Sequence, residues 1–226
     1  MKVITRSGTE EDVKFDLITE KIKSLAGDDL NVDPIFVAQA VCSLIHDRIT
    51  TSELDDFTSS FAATIFKKHP DYLILASRVA INNHHKNTTE SFILVMKKLN
   101  NIGIVSDQFI GILDNHGTEI EKMIDYSRDY SISYFGFKTL FNSYLLKHKG
   151  DVLERPQHLF MRVALAIHGN NLDIVKKTYD SLSCKYYTHA TPTLFNAGTD
   201  YQQLSSCFLL GTEDSVDGLY KTASDM

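Results

Sequence analysis

The residue types best suited to chemistry are concentrated in Thr188–Leu210, which reads THATPTLFNAGTDYQQLSSCFLL. Its many Thr, Ser, Asn and Gly residues predict a loop. The residues that flank it, Tyr186–Tyr187 and Phe208–Leu210, predict buried ends of strands or helices. A polar loop held between buried anchors commonly presents reactive groups. Cys207 is the first candidate, because a thiol can reduce a substrate by closing a disulfide, or can carry a radical on sulfur.

Other interpretations of these side chains stay open. Cys207 could instead be a small apolar residue buried at the start of a strand, whereas a catalytic Cys207 would have the Ser206 hydroxyl beside it for a polar ligand. Structural roles are favoured for Cys184 at a helix end and for Cys42 on an apolar helix face. His189 could act as a base. No second ligand stands near it at metal-binding spacing, so we predict a structural histidine and no bound metal.

Length and composition exclude several classes of protein. The 226 residues are 43% hydrophobic and 23% charged, which is typical of one large or two small globular domains. The net charge of −6 argues against a general nucleic-acid surface, which needs a basic field. No apolar run approaches the ~20 residues of a membrane span, and the start MKVITRSG has no signal-peptide core. Three cysteines without a CxxC pair exclude a disulfide framework and a zinc ribbon, so we expect a cytoplasmic protein with free thiols.

The first 86 residues predict a compact unit made of a hairpin and four helices. Val3-Ile4 and Val13 flank Ser7-Gly8 as two strands flank a turn. A polar stretch at 87–90 follows the unit and predicts a boundary. Each of the four helices has its own start signal. In chain order these are Asp16, Asp33 with Pro34, a capping box of Thr50 and Glu53, and Pro70. Pro70 is also predicted to end the third helix.

The remaining residues also predict mostly helices. An aromatic stretch, Tyr130–Phe137, interrupts them. Apolar residues recur at helical spacing in Phe92–Leu99, Asp107–Leu113, Glu119–Tyr126, Lys138–Lys147, the stretch from Pro156 to Gly169, Asn171–Leu182, and the residues after Ser215.

Several long runs together resemble one family. Arg128–Leu146, Glu154–Ile167 and Thr188–Leu210 resemble the large subunit of class I ribonucleoside-diphosphate reductases of the eukaryotic type. The opening MKVITRSG and His69–Lys86 resemble the regulatory ATP-cone of that family. The resemblance implies a mainly α fold with short β elements: an ATP-cone at 1–90, and at 91–226 a helical region with the first strands of a ten-stranded α/β barrel.

The resemblance also implies roles for individual residues. Cys207 would reduce the ribose carbon and form a disulfide with a second cysteine further along, after a thiyl radical has taken the 3′ hydrogen and the 2′ hydroxyl has left as water. Thr191 and Ser206 would contact the substrate. The effector site that selects the reduced nucleotide would contain Asp214, Ser215 and Val216.

The cone departs from the family pattern at two positions. Two lysines expected there are replaced by Thr5 and Leu17. Charge-assisted hydrogen bonds to a triphosphate are worth roughly 1.5–3 kcal/mol each, so the affinity for ATP or dATP should fall by roughly two to four decades. The positions that match the nucleotide-binding residues of the family are Arg6, Glu11, Phe15, Asp16, Thr51, Asp55 and Lys86.

Cofactors and partners follow from the resemblance alone. It implies no covalently bound cofactor, ATP, dATP and other deoxynucleotide effectors with Mg, and a radical metallocofactor that resides in a partner small subunit. The substrate would be a nucleoside diphosphate, and the reductant thioredoxin or glutaredoxin. A large-subunit homodimer or higher oligomer is expected, with no nucleic acid and no membrane.

The length of the chain opens an alternative. The large subunits of the family are several times longer, so we expect either an N-terminal portion or the product of a split or truncated gene, inactive alone. A non-catalytic homologue that binds nucleotide or another subunit is the alternative function. A cone-bearing transcriptional repressor is disfavoured, because such proteins carry a zinc ribbon. Residues 127–226 should expose barrel surface, which predicts aggregation or oligomerisation.

Overall fold

The computed structural model describes residues 1–226 and begins with a small sheet. Strand β1 (Lys2–Ile4) pairs antiparallel with β2 (Glu10–Asp12), which confirms the predicted hairpin. A third strand, β3 (Ile49–Thr50), pairs parallel with β1. Sequence analysis missed β3, because two residues are too few to show an alternating pattern.

The four predicted helices of the first unit are present. They are α1 (Phe15–Ala26), α2 (Pro34–Cys42), α3 (Thr51–Thr64) and α4 (Asp71–Asn87).

Two of the four start signals act as predicted and two do not. The Asp33 carboxylate accepts the N–H groups of Ile35 and Phe36 at 3.0 Å, and Thr50 forms the expected capping box with Glu53. Asp16 is not a cap: it lies inside the first turn of α1, after an N-cap Lys14 that forms no side-chain bond. Pro70 precedes α4 but does not end α3, which stops six residues earlier.

The second half is also helical. The predicted helices at Asp107–Leu113 and Glu119–Tyr126 form one helix, α6 (Asp107–Met123). The predicted helix at 138–147 is wrong beyond a π turn at Leu140–Tyr144, because the chain then enters a short hairpin. A 3₁₀ turn spans Tyr126–Ser131. The elements are α5 (Phe92–Asn101), α6 (Asp107–Met123), α7 (Tyr134–Thr139), β4 (Lys147–His148), β5 (Asp151–Val152), α8 (Pro156–His168), α9 (Leu172–Ser183), α10 (Thr191–Asn196) and α11 (Val216–Asp225).

Two hydrophobic cores hold these elements. One consists of 20 buried residues between Phe92 and Ala197. The other consists of 18 buried residues, which come from the first unit and from Ile132, Tyr134 and Phe137. Residues beyond position 90 therefore pack on the first unit, and the proposed boundary there stays a prediction. The barrel also stays a prediction: residues 188–226 form no strand, only a single bridge between Thr199 and Val105.

The anchors predicted around Thr188–Leu210 are not buried. Tyr186 is 83% exposed and Leu209 is 97% exposed, and Tyr187, Phe208 and Leu210 are exposed as well. The residue types showed that these side chains are largely apolar, but no element of the chain covers them. Helix α11 has no buried residue either.

A polar seam joins α4 to the start of α8. The His84 ring is buried and its Nε2 donates to the Glu154 carbonyl at 2.8 Å. The Arg155 guanidinium donates to the carbonyls of His85 and Thr88. Burial lowers the pKa of His84 to about 4, so this ring is neutral near pH 7.

The buried histidines predict acid sensitivity. Burial also lowers the pKa of His158, to about 3, whereas both groups titrate near 6.5 when unfolded. The unfolded chain therefore binds more protons as the pH falls from 6.5 towards 4. The free energy of unfolding should then decrease by about 1.4 kcal/mol per pH unit for each histidine.

Denaturant unfolding at pH 7, 6 and 5 measures this slope. His84→Gln should remove its share of the pH dependence, whereas His46→Gln, at an exposed histidine, should leave the slope unchanged. An unaltered slope in His84→Gln would contradict the assignment.

The exposed apolar residues near Cys207 predict self-association. Phe208→Ser with Leu209→Ser should shift the chain towards monomer in light scattering, because the double variant removes two exposed apolar side chains next to Cys207. Leu94→Ser, at a single exposed leucine of α5, is the matched control and should not change the size. A monomeric unsubstituted chain would contradict the prediction.

Candidate functional site

Asp55 organises a cluster of polar side chains in the first unit. Its nearly buried carboxylate accepts a hydrogen bond from Arg6 Nη2 at 2.8 Å and another from the Lys21 ammonium. The Arg6 Nε also donates to the Asn87 side chain at 2.8 Å, and Arg6 Nη1 lies 3.5 Å from the Thr51 hydroxyl. Arg6 therefore ties the hairpin to α3 and α4, and the predicted residues Arg6, Thr51 and Asp55 meet.

The cluster carries more positive than negative charge. The pKa of Lys21 is lowered, mainly by burial, with the charges of Lys86 and Arg6 adding to this effect and Asp55 opposing it. Arg6 and Lys21 thus share one carboxylate, and the charge of Lys86 acts on the same group of side chains. An anion such as a phosphate group would relieve the repulsion between these cations.

Sequence analysis missed several members of the cluster. Lys21 lies four residues, about one helical turn, beyond Leu17 on the same face of α1, and this spacing could have identified it. Asn83 and Asn87 have the same four-residue spacing on α4, and both side chains accept from Arg6.

Three predicted cone residues lie outside the cluster. Glu11 is an exposed residue of β2. Phe15, which is 49% exposed, and Asp16 lie in the first turn of α1. Neither Glu11 nor Asp16 forms an ion pair. The three side chains are therefore available to a ligand, but contacts among them do not hold them in place.

Thr5 and Leu17, where the family resemblance implies lysines, contribute no cation. The Thr5 hydroxyl lies 2.8 Å from that of Ser7 and 2.7 Å from that of Thr9, within the hairpin turn. Leu17 is 56% exposed and offers no donor. The positive charge of the site therefore rests on Arg6 and on lysines of α1 and α4.

Cys207 lies in an exposed segment without helix or strand. Its Sγ is 3.8 Å from the Ser206 hydroxyl, and the thiol is accessible. The interpretation of Cys207 as a buried apolar residue at the start of a strand is therefore wrong. Cys184 is exposed at the end of α9, and Cys42 is half-buried on α2, where burial raises its thiol pKa.

The predicted loop before Cys207 contains a short helix, α10, which begins at Thr191. The Thr191 hydroxyl lies 3.1 Å from that of Tyr144. Two other side chains of α10 hold the following segment: Thr193 donates to the Leu204 carbonyl at 3.2 Å, and Asn196 donates to the Gln203 carbonyl at 2.7 Å. The helix that carries Thr191 is thus fastened to the chain just before Ser206.

His189 and the predicted effector residues are less constrained. The His189 ring stacks edge-on against Tyr187, burial lowers its pKa, and its Nε2 is buried without a partner. The Ser215 hydroxyl accepts the N–H of Gly218 at 3.0 Å and caps α11, and Asp214 and Val216 are exposed beside it.

Two further features bear on the kind of site. No three side chains of His, Cys, Asp or Glu come together as a metal site would need. None of the helices combines the length with the apolar composition that crossing a membrane requires.

The comparisons with known proteins match both halves of the chain. Residues 1–87 match the ATP cone domain, and residues 130–202 match the family described as ribonucleotide reductase, all-alpha domain. The chain is 46% identical to a ribonucleoside-diphosphate reductase large subunit of Dictyostelium discoideum, over 98% of this chain and 27% of the relative. Identity is 44% to a large chain of Schizosaccharomyces pombe, over 98% and 29%, and 43% to a large subunit of Arabidopsis thaliana, over 100% and 29%.

Fold and comparisons together define the class of protein. A small sheet with four helices, followed by helices that form a second core, is an ATP cone joined to an all-alpha reductase domain. The chain belongs to the ribonucleotide reductase large-subunit family. It spans less than a third of the length of these relatives.

The cone cluster predicts weak nucleotide binding that a single residue can strengthen. Calorimetry with dATP should give an affinity weaker than low micromolar for the unsubstituted chain. Leu17→Lys should tighten binding roughly 10-fold or more, because it returns a charge-assisted donor worth about 1.5–3 kcal/mol to the face that carries Lys21.

Leu94→Lys is the matched control, since it adds the same charge at an exposed leucine of α5, away from the cone cluster. Low-micromolar affinity of the unsubstituted chain, or an equal gain from the control, would contradict the prediction.

Proposed function

We propose that this chain is a part of a ribonucleoside-diphosphate reductase large subunit and that it supplies one of the two reducing thiols. Cys207 is the proposed thiol, and Thr191 and Ser206 are the proposed substrate contacts. The observation that supports this most is the attachment of α10, which begins at Thr191, to the residues that precede Ser206 and Cys207. Identity to large subunits over almost the whole chain supports the same assignment.

The proposed chemistry fits an exposed thiol beside a hydroxyl. Two thiols lose two protons and two electrons and form a disulfide, while the ribose 2′ hydroxyl leaves as water and is replaced by hydrogen. Cys207 would provide one thiol and the Ser206 hydroxyl, 3.8 Å from its sulfur, would hydrogen-bond the substrate. The second thiol would come from the additional length that the relatives have.

Effectors would bind at two places. ATP or dATP, with Mg, would bind beside Arg6, Lys21 and Lys86 in the cone, where the excess of positive charge favours phosphate. A deoxynucleotide that selects the substrate would bind near Asp214, Ser215 and Val216, which are exposed at the start of α11.

The proposed partners follow from the family. A small subunit would hold the radical metallocofactor, which supplies the radical when it is bound. Thioredoxin or glutaredoxin would reduce the disulfide again, and large subunits would associate into a dimer or higher oligomer. Alone, the chain should not turn over.

The alternative function is a non-catalytic module that binds nucleotide or another subunit. The exposed apolar residues Phe208–Leu210 and those of α11 favour it, because an uncovered apolar surface is available to a second chain. Such a module would bind a full-length large subunit and alter its activity without contributing Cys207 to the reaction.

One assay distinguishes the two functions. The remaining three quarters of a related large subunit, with a small subunit, are supplied in trans, and reduction of a nucleoside diphosphate is measured. The unsubstituted chain should support turnover and Cys207→Ser should abolish it, because an alcohol cannot form the disulfide. Cys184→Ser, at the other exposed cysteine, should remain active.

Equal turnover with Cys207→Ser and with the unsubstituted chain would contradict the catalytic role. That result would favour the non-catalytic module over the reductase part.

A further inference from the structure

Arg162, on α8, is a buried charge with an unusual set of acceptors. Its side chain and that of Glu154 are both fully buried. Its Nε donates to Glu154 Oε1 at 2.6 Å and its Nη2 donates to Glu154 Oε2 at 3.1 Å. One edge of the guanidinium is therefore occupied by a two-point contact with a carboxylate, which fixes the plane of the group.

The adjacent edge of the same guanidinium, formed by Nη1 and Nη2, holds the end of α10. Nη1 donates to the Ala197 carbonyl at 2.6 Å, and Nη2 donates to the Leu194 carbonyl at 3.2 Å. Carbonyls at the end of a helix have no partner within the helix. A charged donor satisfies both of them here, so the end of α10 is attached to α8 by bonds that a neutral donor would make more weakly.

The turn after α10 is fitted against the stem of Arg162. Gly198 has a φ of +80°, a conformation that favours glycine. A Cβ at this position would lie 3.2 Å from Arg162 Cγ and 3.0 Å from a ring carbon of Phe109. The turn thus approaches the arginine so closely that only glycine fits without displacement.

Side chains of α10 carry this constraint on to the cysteine. Thr193 and Asn196 donate to the carbonyls of Leu204 and Gln203, which lie three and four residues before Cys207. These bonds make one connected series from a buried ion pair, through a six-residue helix, to the segment that ends in the exposed thiol.

We propose that Arg162 is a positioning residue that holds both Thr191 and Cys207 in place through the end of α10. The inference rests on the proposed function for its catalytic meaning, because it assigns Arg162 to the same site. Arg162 is buried behind α10 and contacts its backbone, so it acts through the loop and not on a substrate.

Hydrogen exchange of the 226-residue chain tests the proposal. Glu154→Gln with Arg162→Met removes both charges together, which preserves the fold better than leaving one charge buried alone. The Gln side chain can still accept the Leu146 N–H that Glu154 accepts at 2.9 Å. Amide exchange in residues 190–207 should accelerate at least 10-fold, with exchange in α9 unchanged.

Two further variants make the test specific. Arg128→Met with Asp180→Asn is the matched control, since it removes another arginine–carboxylate pair, 2.8 Å long, that contacts α9. It should leave residues 190–207 protected. Arg162→Lys keeps a cation opposite Glu154 and should restore part of the protection, because an ammonium can reach one of the acceptors but cannot span both edges.

The outcomes separate this inference from the proposed function. Unchanged exchange in 190–207, exchange that is already rapid there in the unsubstituted chain, or equal acceleration in α9 would overturn the positioning role. In the trans assay, the double variant should lower kcat/KM at least 10-fold while dATP binding is unchanged. Inactivity of the unsubstituted chain would contradict the proposed function alone, because the exchange result does not depend on turnover.

Discussion

The buried ion pair of Glu154 and Arg162 is the constraint on which the second half of the structure depends. Removing two such charges from water costs several kcal/mol per ion, and only complete hydrogen bonding offsets this cost. Here the carboxylate also accepts the Leu146 N–H, and the guanidinium also reaches the carbonyls of Leu194 and Ala197. The residue before β4, α8 and α10 therefore have to take positions that satisfy one set of bonds simultaneously.

The same few residues join the ATP cone to the helical domain. The backbone of Glu154 accepts from the neutral ring of His84, and the next residue, Arg155, bonds the end of α4. The fully buried Asp129 accepts from His85 and from Gln157. Polar groups buried at this seam are paired with one another, so a displacement of α4 would leave donors or acceptors unsatisfied beside α8.

The cone has a different character, because its charged cluster is only partly buried and only partly neutralised. Asp55 balances one of the nearby cations, and the rest of the positive charge is free to attract an anion. Thr5 and Leu17, where the resemblance implies lysines, add no charge to this cluster, and neither position lies in a core.

The sequence by itself determined most of the helices, two of their caps and the family, because these depend on residues a few positions apart or on long ordered runs. The prediction that Tyr186 and Leu209 are buried was wrong. The sequence shows that these side chains are apolar, but it does not show whether another element covers them. Only the tertiary structure brought Arg6 to Asp55, His84 to Glu154 and Arg162 to Ala197, pairs that are 49, 70 and 35 residues apart. Such contacts leave no local pattern, because they form only when separate elements pack against each other.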